Sequence, residues 1–153
     1  MTTTPRPSTR SGLLAIALLA AVPSAASAAD SITLTSPDRQ LGATVSIRNQ
    51  QLVYQLDFAG KTVLEEARLG VTVDGVDLGG GAKDLKPGEV TEHREEYRLH
   101  GDESLLKSHD RRVTITVERD GEPLGIELRA FDGGLGFRYR IPGNAPRKIS
   151  GEA

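Results

Sequence analysis

The stretch that decides how this chain is read is ELRAFDGGLGFRYRIP, Glu127–Pro142. It is a strand, a tight turn at Asp132-Gly133-Gly134 and a second strand, Leu135–Ile141. In that second strand Phe137, Tyr139 and Ile141 alternate with Arg138 and Arg140. A period of two is the mark of a strand with one buried face. The apolar set is expected inside and the two arginines outside.

The same period extends upstream. Val113, Ile115 and Val117 alternate with Thr114, Thr116 and Glu118, and Asp120-Gly121 turns the chain into Leu124–Phe131. Earlier, Ser31–Thr35, Ala43–Ile47, the series Leu52, Tyr54, Leu56, Phe58, and the series Leu69, Val71, Val73 repeat the pattern. Pro37-Asp38, Asn49-Gln50, Ala59-Gly60 and Asp74-Gly75 separate them, and the Asx-Gly pairs suit hairpin turns that need positive φ. Val90–Leu99 reads as a polar strand, whereas Leu78–Gly88, with Gly79-Gly80-Gly81 and Pro87, reads as a loop. About eight or nine short strands with regular turns and no amphipathic helix predict an all-β fold, a β-sandwich.

The N-terminus has a different character. Arg6 and Arg10 precede an apolar run at Gly12–Val22, Pro23 breaks it, and Ala26-Ser27-Ala28 fits a cleavage site. Residues 1–28 are therefore predicted to be a secretory signal peptide, with residues 29–153 as a β-sandwich domain starting near Ala29 or Asp30. The apolar run is too short to span a bilayer comfortably, so no membrane span is expected after cleavage, and the location is secreted or periplasmic. The chain has no cysteine, so its core alone must hold it. Removing Arg6 and Arg10 takes the formal charge from −2 to −4, which gives no reason to expect nucleic acid as a partner.

Candidate chemistry is sparse. His93, His100 and His109 lack metal-ligand spacing and read as surface histidines. Ser104, His109 and Asp110 are close in sequence, but no nucleophile elbow accompanies them. The triple glycine lacks the Gly-Lys-Ser/Thr of a phosphate loop and reads as a flexible surface loop. Glu92, Glu95 and Glu96, with Asp102 and Glu103, could do acid–base work or bind calcium, but interleaved His93, Arg94 and Arg98 make a solvated face the better reading. Arg129, Arg138 and Arg140 form a stripe that Glu127 and Glu118 can neutralise across strands. Tyr54, Phe58, Phe137 and Tyr139 fall on core faces, leaving Tyr97 and Phe131 free, too few rings for a self-sufficient sugar platform.

Four stretches in order, LTSPDRQLGATVSI, LVYQLDFAGKTVLEEARLGV, YRLHGDESLLKSHDRRVTITVE and IELRAFDGGLGFRYRIP, resemble the N-terminal domain of glycoside hydrolase family 97 over residues 31–153. The resemblance implies a galactose-mutarotase-like β-sandwich, here roughly its first half, that packs on a catalytic (β/α)₈ barrel. Such enzymes are calcium-dependent α-glucosidases or α-galactosidases, secreted to the periplasm or beyond, and their acid and base or nucleophile belong to the barrel. None of that barrel is in these residues, so no catalytic or substrate-binding residue is assigned. Glu152, in KISGEA, matches a family glutamate that helps hold calcium. Arg111 stands where the family places a ligating asparagine, a cationic side chain that cannot bind a cation, and Asp110 is the substitute beside it. Calcium is thus expected only in a full-length context and not for this chain alone. The implied function is the non-catalytic N-terminal β-sandwich portion of a secreted α-glycosidase, with carbohydrate and the missing barrel as partners. The alternative is a stand-alone secreted glycan- or protein-binding module, and an enzyme active by itself is the least favoured reading.

Overall fold

The computed structural model describes Met1, residues 30–98 and residues 105–153. The segment read as a signal peptide, apart from Met1, lies outside the described residues, as do His100, Asp102, Glu103 and Ser104. The described chain is all-β: β1 (Ser31–Thr35), β2 (Leu41–Arg48), β3 (Gln51–Phe58), β4 (Lys61–Arg68), β5 (Val71–Val73), β6 (Val76–Asp77), β7 (Ala82–Pro87), β8 (Thr91–Arg98), β9 (Leu105–Arg119), β10 (Leu124–Phe131), β11 (Gly134–Arg140) and β12 (Ile149–Glu152). No helix among the described residues is long and apolar enough to cross a membrane.

One layer is the antiparallel meander β1-β2-β3-β4. Its tight turns follow from local chemistry. Asn49 and Gln50 both take positive φ between β2 and β3, as do Ala59 and Gly60 between β3 and β4. Such two-residue turns match the right-handed twist of the strands they join. The second layer has the order β11-β10-β9-β7, with β8 also paired to β9. β9 is the longest strand at 15 residues, and it pairs with β8 over Leu105–Arg112, with β10 over Asp110–Val117 and with β7 over Ile115–Arg119. A small sheet, β12-β5-β6, completes the fold.

The core lies where the two main layers face each other. Leu34, Val45 and Leu52 from the first meet Val113, Ile115, Val117, Leu124, Ile126 and Leu128 from the second, all at 2% exposure or less. Alternation along β9 and β10 therefore buries the side that period-two reading assigns. Each aliphatic side chain taken out of water contributes about 1.5–3 kcal/mol.

Four expectations need correction. The stretch Leu78–Gly88 is not a loop throughout, because Ala82–Pro87 forms β7. Ala82 and Leu85 are buried in the core, and Pro87 is tolerated because it ends the strand, where Gly88 N–H donates to the Thr114 carbonyl instead (2.8 Å). The triple glycine is not a flexible surface loop either. Leu52 N–H donates to the Gly79 carbonyl, Asp120 N–H to the Gly81 carbonyl, and a β-carbon at Gly79 would lie 2.2 Å from the Leu69 carbonyl oxygen. Phe58 is 39% exposed, because β3 runs past the core at its far end. Phe137 faces inward but is 37% exposed at the rim, where its ring stands 5.9 Å from Tyr54 and 5.7 Å from Tyr139. Tyr139 and Ile141 do pack against the core, and Arg138 and Arg140 do point outward.

Ile115 is fully buried at the centre of β9. Ile115→Ala is expected to lower stability by about 2–5 kcal/mol, read as a lower urea midpoint with an unchanged slope.

Candidate functional site

The outward face of the second layer holds the densest polar chemistry in the described chain. In the β9–β10 register Arg112 lies opposite Arg129 and Asp110 opposite Phe131, and in the β10–β11 register Glu127 lies opposite Arg138. Residues two apart on a strand share a face, so these side chains converge.

Asp110 is the hub. It is fully buried, although it belongs to the outward face, because two guanidiniums close over it. Arg112 donates through Nε to Oδ2 (2.5 Å) and through Nη2 to Oδ1 (3.1 Å). Arg129 donates through Nε to Oδ2 (3.2 Å) and through Nη2 to Oδ1 (2.9 Å). Burial pushes the Asp110 carboxyl upward, but the bonds from Arg112 and Arg129 outweigh it and hold the group well below the usual carboxylate range. Next to it, Glu127 Oε2 accepts from Arg138 Nη2 (2.8 Å) and from Arg140, and these two arginines lower its pKa, Arg140 most. Arg129 also stands over the Phe131 ring, 5.3 Å from its centroid.

This arrangement settles several sequence readings. The arginine stripe is neutralised across strands by Glu127 as expected, but Glu118 pairs with Lys86, and Arg129 takes Asp110. Asp110 cannot substitute as a calcium ligand, since two guanidiniums use both its oxygens and repel a cation. Arg111 points to the opposite face of β9 and donates to the carbonyl oxygen (3.3 Å) and Oγ1 (2.5 Å) of Thr35, tying the second layer to β1. His109 and Asp110 are adjacent in β9 and so project to opposite faces, and His109 Nε2 bonds Glu92 (2.7 Å) rather than Asp110.

The acidic cluster is dispersed in the same way. Glu92 pairs with His109 and Arg94, Glu96 with Lys107, and Glu95 with His93 and Arg112. The bond from His109 chiefly lowers the Glu92 pKa. The described members thus form a solvated, ion-paired face and not an acid–base pair.

Glu152 lies at the end of β12, exposed, opposite Val71. Among the described residues no group of three or more aspartate, glutamate or histidine side chains gathers. Calcium takes six to eight oxygen ligands, a set that the described residues do not gather around Glu152.

Sequence reasoning singled out Glu127, Arg129, Arg138 and Arg140 but missed Arg112 and the true role of Asp110. The available signal was the i, i+2 spacing of Asp110 and Arg112. Its meaning needed the register that sets Arg112 against Arg129.

The described residues thus define a two-layer antiparallel sandwich whose outward face is closed by cross-strand ion pairs. Residues 34–153 match the family described as glycosyl-hydrolase 97 N-terminal, and the chain belongs to that family. No curated protein sequence matches it. Among solved structures it is similar to a glycoside hydrolase family 97 enzyme from Pseudoalteromonas sp. strain K8 in complex with acarbose, with a TM-score of 0.63 and 24% identity over 79% of this chain and 19% of that one. A crystal structure of a beta-arabinopyranosidase is similar to the same degree, 0.63 and 24% over 79% of this chain and 20% of that one. At that identity the likeness establishes the fold. The chain spans about a fifth of the length of these enzymes.

Asp110→Asn is expected to cost about 3–5 kcal/mol, because it strands two guanidiniums on a buried neutral amide. The carboxylate's folded pKa is depressed, so its stabilisation is complete above the unfolded value near 4 and fades as pH falls below it. The gap in melting temperature between wild type and variant should be constant above about pH 5 and narrow below about pH 4.

Proposed function

We propose that this chain is the non-catalytic N-terminal β-sandwich portion of a secreted α-glycosidase of the α-glucosidase or α-galactosidase type. The observation that carries this reading is the family match over residues 34–153 to an N-terminal domain. The dispersal of the described carboxylates into separate ion pairs supports a non-catalytic role. The acarbose complex of a similar enzyme supports carbohydrate as the substrate class. The partner is the catalytic barrel of such an enzyme. Glu152 would be one calcium ligand at that contact, with the remaining ligands supplied from beyond this chain.

A second reading, a stand-alone secreted glycan- or protein-binding module, is favoured by one observation. The two layers enclose a shared core whose central side chains are fully covered by this chain alone.

Purified from a host lacking glycosidases, the chain is expected to release no sugar from α-glucosidic or α-galactosidic reporters, with or without calcium. Turnover above buffer that follows the protein through purification would refute the non-catalytic reading. For secretion, the exported protein should begin at Ala29 or Asp30 by N-terminal sequencing. Recovery only of cell-bound chain beginning at Met1 would remove that part of the proposal.

A further inference from the structure

The outward face of β9, β10 and β11 carries a groove of about 420 Å³, lined by Arg112, Glu127, Arg129, Phe131, Gly136 and Arg138, with Phe137 at its rim. That volume is in the range of small-ligand sites. We propose that it binds a sugar ring bearing a carboxylate, seated against Phe131 and Gly136 with its carboxylate on Arg138. The sugar part of this assignment rests on the carbohydrate reading above; the carboxylate part rests on the groove itself.

The hydrogen-bond inventory is unequal. A guanidinium has five N–H donors. Among the described residues Arg138 uses Nη2 alone, toward Glu127 Oε2, and its side chain is 65% exposed. Arg129 uses Nε and Nη2 on Asp110, and Arg140 uses the same two groups on Glu127. The acids are partly engaged, and Glu127 keeps Oε1 open among the described residues. Both oxygens of Asp110 accept bonds, and Oε2 of Glu127 takes every bond that Arg138 and Arg140 make to it. Glu95 stands 3.6 Å from Arg112 on the β8 side, and Glu89 lines the adjoining groove, which shares Arg112, Glu127 and Arg138 with this one. The β10–β11 half is left rich in donors and positive. A planar carboxylate satisfies such a fork with two parallel bonds.

The floor offers the edge of an aromatic ring beside a glycine. Phe131 is half-buried, capped by the Arg129 guanidinium, and Gly136 opens the surface beside it. A β-carbon at Gly136 would sit 3.7 Å from Phe131 Cε2, so any larger side chain there would fill the shelf. Three guanidiniums against one lining carboxylate suit an anionic sugar better than a neutral one.

The test is an NMR titration of the ¹⁵N-labelled chain with trigalacturonate, maltotriose and citrate, following the amides of Phe131, Gly136 and Arg138. Trigalacturonate should shift them saturably, and more weakly as salt rises. Arg138→Gln and Gly136→Val should each weaken binding by about tenfold, the loss of one charge-assisted contact or of the shelf. Arg138→Gln leaves Arg140 on Glu127, so it decides the matter even if Gly136→Val does not fold. No saturable shift, equal affinity for citrate, or binding untouched by Arg138→Gln overturns the proposal. Maltotriose shifting the same amides equally also overturns it and leaves the glycosidase reading standing, whereas turnover in the reporter assay sinks that reading and not this one.

Discussion

The structure depends on a single strand being shared. β9 carries the register of β7, β8 and β10 at once, and its inward residues Val113, Ile115 and Val117 form the middle of the core. A slip of one residue would turn those three outward and put Arg112, Thr114 and Thr116 in their place. The buried face makes such a slip prohibitive. The Asp110 cluster reinforces it, since Arg112 meets Arg129 and the shared carboxylate only in this register. Core and polar face are therefore two consequences of one alignment. The inside selects it by burial, and the outside makes it specific by directed hydrogen bonds.

That division explains how much could be read in the linear sequence. Val113-Ile115-Val117 and Tyr139-Ile141 announced strands, and the sandwich followed from their number and spacing. Periodicity speaks only to one strand at a time, however. It placed Phe58 and Phe137 on the correct face and could not tell that both lie where the layers end. It also missed β7, because Gly79-Gly80-Gly81 and Pro87 are loop signals by composition. Gly79 serves close backbone approach against the Leu69 carbonyl, and Gly81 a positive φ, demands that arise only after folding. The polar face was half legible. Arg138 and Arg140 opposite Glu127 belong to a hairpin, where the turn sets the register. Arg112 and Asp110 lie across a longer connection from Arg129, and no short-range pattern links them.

The buried Asp110 shows how a sheet face can be polar and dry together. Its desolvation would be unfavourable in isolation, and four charge-assisted bonds offset it. These bonds hold the Arg129 guanidinium over the Phe131 ring, beside Gly136. A structural ion cluster and the contour of the neighbouring groove are thus the same set of atoms. The family membership of the chain says what kind of domain it is, and this cluster says which of its surfaces is tied by directed bonds.

The last strand is fastened differently from all this. Every residue of β12 is exposed, and the strand is held by its ladder to β5 and by Arg147, which bridges Asp74 and Glu122 just ahead of it. Exposed bridges of this sort are worth little each and weaken as electrolyte accumulates. Added salt therefore loosens the Arg147 anchor and leaves β12 to its backbone ladder and to the bond from Ala153 N–H to the Gly70 carbonyl.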